Sequence, residues 1–403
     1  MKWLAQSILF SALLLSLHTT WAAVYRASDP FDMGAALANN ATTEIYNPAG
    51  LTNLENVQIV GSYVWFEQSI EYNGTVTEVP LQKTQYGNAS TTFSSSLPGL
   101  FLSVPVTDDL VLGFSYSTPY GSPNGPKYAE DAIVGYSYTE LLLNTYNYSG
   151  ALGYKLTEKW SIGAGLNYQT MNVDFRNVLL ANQFPVGFTN SADGHAWWWH
   201  AGILYAPTQT TRLGFTYWST IHQKLYGSSE ISGVINKYSD NLKIDLTIPP
   251  SYMFSIFQIL NEQWGINLTV GYTPWSELSN LALENSAAGT LVTEGVYNNT
   301  WRATIGPGFK LNDKWSFDGF VRYEQLAIND DIRLPSQPGD VNWSLGIGAA
   351  YNFTDKISLK TRYIYPFYDV KDLDATTQAN RILYQGQEER SANVLGAQLI
   401  WSL

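Results

Sequence analysis

The stretch Trp160-Ser161-Ile162-Gly163-Ala164-Gly165-Leu166-Asn167-Tyr168, WSIGAGLNY, has two unlike sides. Ile162, Ala164 and Leu166 alternate with Ser161, Gly163, Gly165 and Asn167, and an aromatic residue closes each end. A period of two belongs to a β-strand with one apolar face. An apolar face framed by rings suits a bilayer with aromatic side chains at both interfaces, and the small polar face suits a lumen.

The pattern recurs. In Trp264–Tyr272, Trp264, Ile266, Leu268, Val270 and Tyr272 alternate with Gly265, Asn267, Thr269 and Gly271. In Val341–Phe353, Val341, Trp343, Leu345, Ile347, Ala349, Tyr351 and Phe353 alternate with small or polar residues. A pass along the chain places fourteen strands, at 57–66, 99–106, 110–118, 141–155, 160–176, 195–206, 211–224, 249–260, 264–274, 299–310, 315–325, 341–353, 357–368 and 391–403. Six short connections (Thr107–Asp109, Leu156–Lys159, Pro207–Thr210, Asn261–Gln263, Leu311–Lys314 and Thr354–Lys356) alternate with longer links such as 67–98, 119–140, 225–248 and 369–390. Six turns and seven loops make an all-β, fourteen-stranded antiparallel transmembrane barrel with both chain ends on the periplasmic side. Closure is forced, because an unpaired backbone group in lipid costs several kcal/mol.

Composition agrees with that fold. The 403 residues include 27 Tyr, 14 Trp and 17 Phe, the ring types that line membrane interfaces. There is no cysteine, so a large core or a closed hydrogen-bonded sheet must do the work of disulfides in an exported chain. A net charge of −12 without a basic stripe excludes nucleic acid as a partner. No linker divides the chain. Its start, with Lys2, the apolar run Ile8–Leu17 and Thr20-Trp21-Ala22-Ala23, reads as a secretory leader over residues 1–23, cleaved after Ala22 or Ala23. Residues 55–403 then form the barrel, and residues 24–54 are too short and too polar for a domain. Their simplest place is inside the barrel as a plug, with Asn47-Pro48-Ala49-Gly50 as a tight corner.

These residues resemble a known family. Met33–Ala38 followed by Thr43–Leu51, with its Asn-Pro-Ala, is similar to the hatch of the FadL-type outer-membrane transporters of long-chain fatty acids and other hydrophobic compounds. Ile248-Pro249-Pro250-Ser251, Tyr272–Ser276, Asn299–Arg302, Asp313–Ser316 and Asp331–Pro335 follow in the family's order over nearly the whole mature chain. The resemblance implies a hatch in the lumen, an apolar pocket, and a lateral exit at a kink in the third strand. Gly113, with Phe114 and Ser115, is the candidate for that kink, since glycine weakens a strand.

The expected function is passive uptake of hydrophobic small molecules, long-chain fatty acids first, with neutral aromatic hydrocarbons or a polar-solute porin as alternatives. The apolar residues of 225–248 and 275–298 would form either a surface groove or a lid. Arg302 and Arg322 alternate with apolar neighbours and should face the lumen. Arg176, out of phase with Val173 and Phe175, should do the same. Each of the three is a candidate partner for a carboxylate headgroup, and the alternative for Arg302 or Arg322 is a structural pair with Asp318 or Glu324. His195 and His200 fall on opposite faces and cannot share a metal. No catalytic residue, cofactor or metal is expected. The expected partners are the hydrophobic ligand and outer-membrane lipid, with the protein a monomer.

Overall fold

In the computed structural model the residues described are 31–119, 121–122, 124–129, 131–181, 183–277, 281–293, 297–325, 327, 333–335, 343–377 and 381–403. The leader expected at 1–23 and its cleavage point lie outside them, as do Leu278, Asp331, Ile332, Val341 and Asn342.

Fourteen antiparallel strands close into a barrel. They are β1 (Gln58–Glu78), β2 (Lys83–Pro105), β3 (Leu110–Ser117), β4 (Glu140–Lys155), β5 (Trp160–Ala181), β6 (Phe184–Tyr205), β7 (Thr211–Trp218, continued by Ile221–Ser232), β8 (Lys237–Ile248, continued by Ser251–Ile259), β9 (Trp264–Thr273), β10 (Thr300–Lys310), β11 (Trp315–Glu324), β12 (Trp343–Asn352), β13 (Ile357–Phe367, continued by Lys371–Thr377) and β14 (Ile382–Ser402). Closure is made by β1 against β14, in register from Gln58↔Ser402 to Glu78↔Ile382.

The six short turns share one device. In each, a Thr or Asn side-chain oxygen accepts hydrogen bonds from the backbone N–H groups two and three residues on. The acceptors are Thr107, Thr157, Thr208, Asn261, Asn312 and Thr354. Such local side-chain bonds are why these residue types occupy turns.

Two belts of rings mark the lipid band. The lower belt includes the pairs Trp160–Tyr205 (4.2 Å), Trp264–Phe309 (4.7 Å) and Trp315–Tyr351 (4.6 Å). The upper belt runs across Tyr168–Trp197, Trp199–Tyr217–Tyr252 and Tyr272–Trp301 to Tyr323–Trp343. Between them Ile162, Leu166, Ile203, Phe215, Leu268, Ile305 and Leu345 stand exposed. On β9 the rings are eight residues apart, ~26 Å of strand. This matches the apolar band of an outer-membrane barrel.

Above the upper belt the strands continue, and here the sequence reading needs correcting. Residues expected as loops at 67–98, 225–248 and 369–390 are largely paired strand. The cause is an inversion of polarity along each strand. On β5 the inward residues Ser161, Gly163, Gly165, Asn167 and Gln169 give way to Met171, Val173, Phe175 and Leu179, all buried. The outward residues change oppositely, from Ile162, Ala164 and Leu166 to Asn172, Asp174 and Arg176. β1 turns from outward Tyr63 and Trp65 to outward Glu67, Glu71 and Asn73. The pleat never slips. Only the solvent changes, from lipid to water outside and from a polar to an apolar filling inside.

The inward apolar residues of the outer half form one cluster, with Tyr72, Leu143, Phe188, Leu225, Ile244, Leu283 and Tyr384 among its members. A hairpin, Leu281–Ser286 with Gly289–Thr293, pairs onto β8 through Lys243↔Glu284 and Ile244↔Leu283. The two apolar loops of the sequence reading are therefore joined edge to edge. Ile231, Leu283 and Leu291 are buried, whereas Tyr226, Val234 and Tyr238 are exposed.

Candidate functional site

Residues 31–54 lie inside the barrel at the level of the lipid band, with Ala35, Ala36, Ala41, Glu44, Asn47, Ala49 and Leu51 fully buried. One helical turn, Thr43–Tyr46, leads into a 3-10 helix, Pro48–Asn53. Asn47 stands between them. Its Oδ1 accepts from Ala49 N–H (3.2 Å) and caps the second helix. Its Nδ2 donates to Ala35 O (2.7 Å) and to Ile203 O (3.1 Å) in the wall. Pro48 occupies the first helical position, where its missing N–H costs nothing. Gly50 is not in the left-handed region. A Cβ there would lie 2.4 Å from Thr43 Oγ1 and 2.5 Å from Ala38 Cβ, so close packing requires the glycine.

The wall is shaped to the same segment. Gly113, Gly153, Gly163, Gly202 and Gly214 fall on five successive strands, β3 to β7. A Cβ on Gly163 would meet Ala49 N at 2.4 Å, on Gly202 Asn47 Oδ1 at 2.0 Å, and on Gly214 Ala35 O at 2.3 Å. The small face of WSIGAGLNY is thus a seat.

A directed hydrogen-bond relay joins wall to segment. Trp198 Nε1 donates to Asn147 Oδ1 (3.1 Å), and Asn147 Nδ2 donates to Asn167 Oδ1 (3.0 Å). Asn167 Nδ2 then donates to His200 Nδ1 (2.8 Å), which leaves His200 Nε2–H to donate to Glu44 O (2.8 Å). Ser149 Oγ donates to the Glu44 carboxylate, and Trp218 Nε1 donates to Ile45 O. His195, by contrast, is exposed on the outer face.

The three candidate arginines part company. Arg302 is buried and its Nη2 lies 2.7 Å from Asp32 Oδ2, while Arg322 donates to Asp32 O (3.0 Å) and lies against Phe320. The acid that meets Arg302 therefore comes from the N-terminal segment, 270 residues away in sequence (302 minus 32). Asp318 is held by Arg362 Nε (2.9 Å) and by Lys360 (3.6 Å). Arg176 corrects the sequence reading: it faces outward, more than half exposed, and pairs with Glu140 (3.2 Å). Its phase was read against Val173 and Phe175 as lipid-facing, but above the belt those two face inward.

In the third strand, Gly113, Phe114 and Ser115 pair without interruption to both β2 and β4. Gly113 sits beneath Glu44 and Leu51, Phe114 faces lipid, and Ser115 faces in. The ladder breaks later. Pairing with β2 ends at Leu100↔Tyr116, and pairing with β4 ends at Ser117↔Asn147, resuming at Gly121↔Asn144 with one residue more on the β3 side. Beside the break is a cavity of about 70 Å³, lined by Ile45 and Tyr46 of the inner segment, Leu97, Pro98 and Gly99 of β2, and Ser117, Thr118 and Pro119. Pro98 and Pro119 were the legible signal, since proline withholds a ladder donor.

In the outer half, Glu388 is held by Arg390 (Nη2 2.7 Å, Nε 2.8 Å) and by Arg333. Ser137 ties the nearby chain to Pro335 O and to the Tyr384 hydroxyl. Burial pushes the Tyr138 and Tyr384 phenols well above their ordinary range, so both are neutral.

A lipid-banded barrel whose lumen is filled by its own N-terminal segment is an outer-membrane protein with an occluded bore. The chain belongs to the outer membrane protein transport protein family (OMPP1/FadL/TodX), which matches residues 29–402. It is 26% identical to outer membrane protein P1 of Haemophilus influenzae, covering 91% of this chain and 90% of that one. It is 23% identical to the long-chain fatty acid transport protein of Escherichia coli (strain K12), with 82% of each covered. Among solved structures, a Pseudomonas aeruginosa FadL homologue superposes with a TM-score of 0.83 at 18% identity, covering 95% of this chain and 98% of that one. The Ralstonia pickettii toluene transporter TbuX does so with a TM-score of 0.68 at 16% identity, covering 92% and 95%. The protein is located in the bacterial outer membrane, and its family transports hydrophobic compounds.

Proposed function

We propose that this protein takes up long-chain hydrophobic molecules passively, long-chain fatty acids foremost. The observation that carries this is the apolar inner face of the outer barrel. On β5 alone Met171, Val173, Phe175 and Leu179, with Asn177 between the last two, span ~26 Å of strand. A long alkyl chain gains ~0.8 kcal/mol per buried CH₂ on such a surface, and a hydrated solute gains nothing. The outer hairpins give first contact, and the apolar interior holds the chain above the hatch formed by residues 31–54. A shift of the segment around Ile45–Ala49 opens the cavity beside Pro98 and Ser117–Pro119, from which the molecule leaves sideways into the outer leaflet.

A second reading, a neutral aromatic hydrocarbon, is favoured by one observation: Arg302 meets the protein's own Asp32 inside the lumen. Growth of a deletion strain on oleate and on toluene, with and without the gene restored, tests both. Slow growth on oleate, cured by the gene, is expected. A defect on toluene alone moves the assignment to the second reading, and no defect on either removes uptake altogether.

A further inference from the structure

Among the described residues, four buried amides in the barrel interior have no partner at either end. Gln169, Asn177, Asn190 and Gln223 are each no more than 4% exposed. Among the described residues neither the nitrogen nor the oxygen of any of these amides makes a hydrogen bond. They are not scattered. All four lie on the adjacent strands β5, β6 and β7, on the inward face. Gln169 stands opposite Ala196, and Gln223 lies one step past the His195↔Lys224 pair. The two glutamines therefore flank Ala196 at one level. Asn177 faces Phe188 and Asn190 faces Phe175, so the two asparagines make a diagonal pair farther out. Between the levels the inward face is apolar, with Met171, Val173 and Leu225. From Gln169 to the level of Asn190 is six residues, ~20 Å of strand.

The contrast with the polar groups just below is sharp. Asn147, Asn167 and His200 are spent on one another and on the inner segment. A buried amide with nothing to bond is costly, and a leucine of similar volume would remove that cost. Ligand pockets are built this way: mostly apolar, with a few convergent polar groups that fix orientation. Charge narrows the ligand further. Five inward cations sit on acids, Arg302 on Asp32, Arg362 and Lys360 on Asp318, Arg333 and Arg390 on Glu388, and Arg322 is held by the Asp32 carbonyl. The amides offer both donors and acceptors and carry no charge.

We infer that the amides form two stations, Asn177 with Asn190 and Gln169 with Gln223, for an amphiphile whose uncharged head both donates and accepts hydrogen bonds. The head passes from the outer station to the inner one, just above the hatch, while the alkyl chain lies along Met171, Val173 and Leu225. This rests on the uptake reading and narrows it: a fatty acid enters these stations with its carboxyl protonated, a head that donates and accepts as an alcohol does, and not as the anion.

The test uses the full-length protein in lipid nanodiscs, with empty discs subtracted, and three twelve-carbon probes: 1-dodecanol, laurate and dodecane. The wild type is expected to bind dodecanol more tightly than dodecane or the laurate anion. Gln169→Leu with Gln223→Leu should weaken dodecanol about ten-fold, the worth of roughly one hydrogen bond. Dodecane binding and the unfolding temperature should hold or rise. Should that pair fail to fold, Asn177→Leu with Asn190→Leu carries the same expectation for the outer station. Unchanged dodecanol binding in a folded variant overturns the inference. So does a lower unfolding temperature with unchanged headgroup preference, which would make the amides structural. A laurate preference lost in the variant would overturn the uncharged head. Failure of the wild type to bind any probe overturns the uptake reading, and this inference with it.

Discussion

The two halves of β5 share one pleat and have opposite chemistry. In the lipid-level half, Ile162, Ala164 and Leu166 face out, while Ser161, Gly163, Gly165 and Asn167 face in, where they seat residues 31–54. In the outer half, Asn172, Asp174 and Arg176 face out and Met171, Val173 and Phe175 face in. The lower interior is small and polar because a backbone segment fills it. The upper interior is apolar because side chains of the wall and loops fill it. One continuous hydrogen-bond ladder therefore supports two interiors, one occupied by residues 31–54 and one lined with apolar side chains.

Four experiments break or sharpen this contrast. The largest effect should come from Asp32→Ala, which removes the carboxylate 2.7 Å from Arg302 inside the lower half. Removing one member of a buried ion pair costs ~3–5 kcal/mol. The measurable outcome is a loosened plug, seen as higher vancomycin sensitivity and channel conductance, with partial recovery when Arg302→Met is added. Next is Leu166→Arg against Asp174→Arg, both outward on β5. The first meets lipid and should cost ~2–4 kcal/mol, whereas the second meets water and should cost almost nothing. Urea unfolding of barrel refolded in vesicles measures both, and equal costs would mean that lipid reaches the outer half. Gly163→Ala should cost ~1–3 kcal/mol by overpacking against Ala49 N. Gly61→Ala, where a Cβ meets nothing within 4 Å, is the control. The smallest effect belongs to the turns. Asn312→Ala removes the acceptor for Lys314 and Trp315 N–H and should cost ~0.5–1.5 kcal/mol in the same assay.

The contrast also explains what the sequence disclosed. Alternation found the lipid-level strands and six turns because hydrocarbon outside and a polar lining inside produce a strong period of two. The first strand is expected to end at Phe66, where polarity inverts, since outward Glu67 and Glu71 look like loop residues, whereas the strand expected at 160–176 runs through Asp174 past its inversion. The inward direction of Arg302 and Arg322 was legible from their apolar neighbours, but Asp32 as Arg302's partner was not, because only closure of the barrel brings them together. Glu44 and His200 were missed for the same reason: their link is a backbone carbonyl meeting a ring, and no spacing announces it. Glycine suggests a kink at Gly113 within 111–117; the ladders end at Tyr116 and Ser117, and Gly113 gives clearance to Glu44 and Leu51.

The central claim is that β5 inverts its polarity without slipping its pleat. Nitroxide labels placed singly from 161 to 179 test it in a bilayer. Labels at 162, 164 and 166 should be relaxed by oxygen, and labels at 172, 174 and 176 by a water-soluble nickel complex. Odd-numbered sites should be shielded from both along the whole strand. A switch of the shielded set to even numbers anywhere between 168 and 172 would contradict the account.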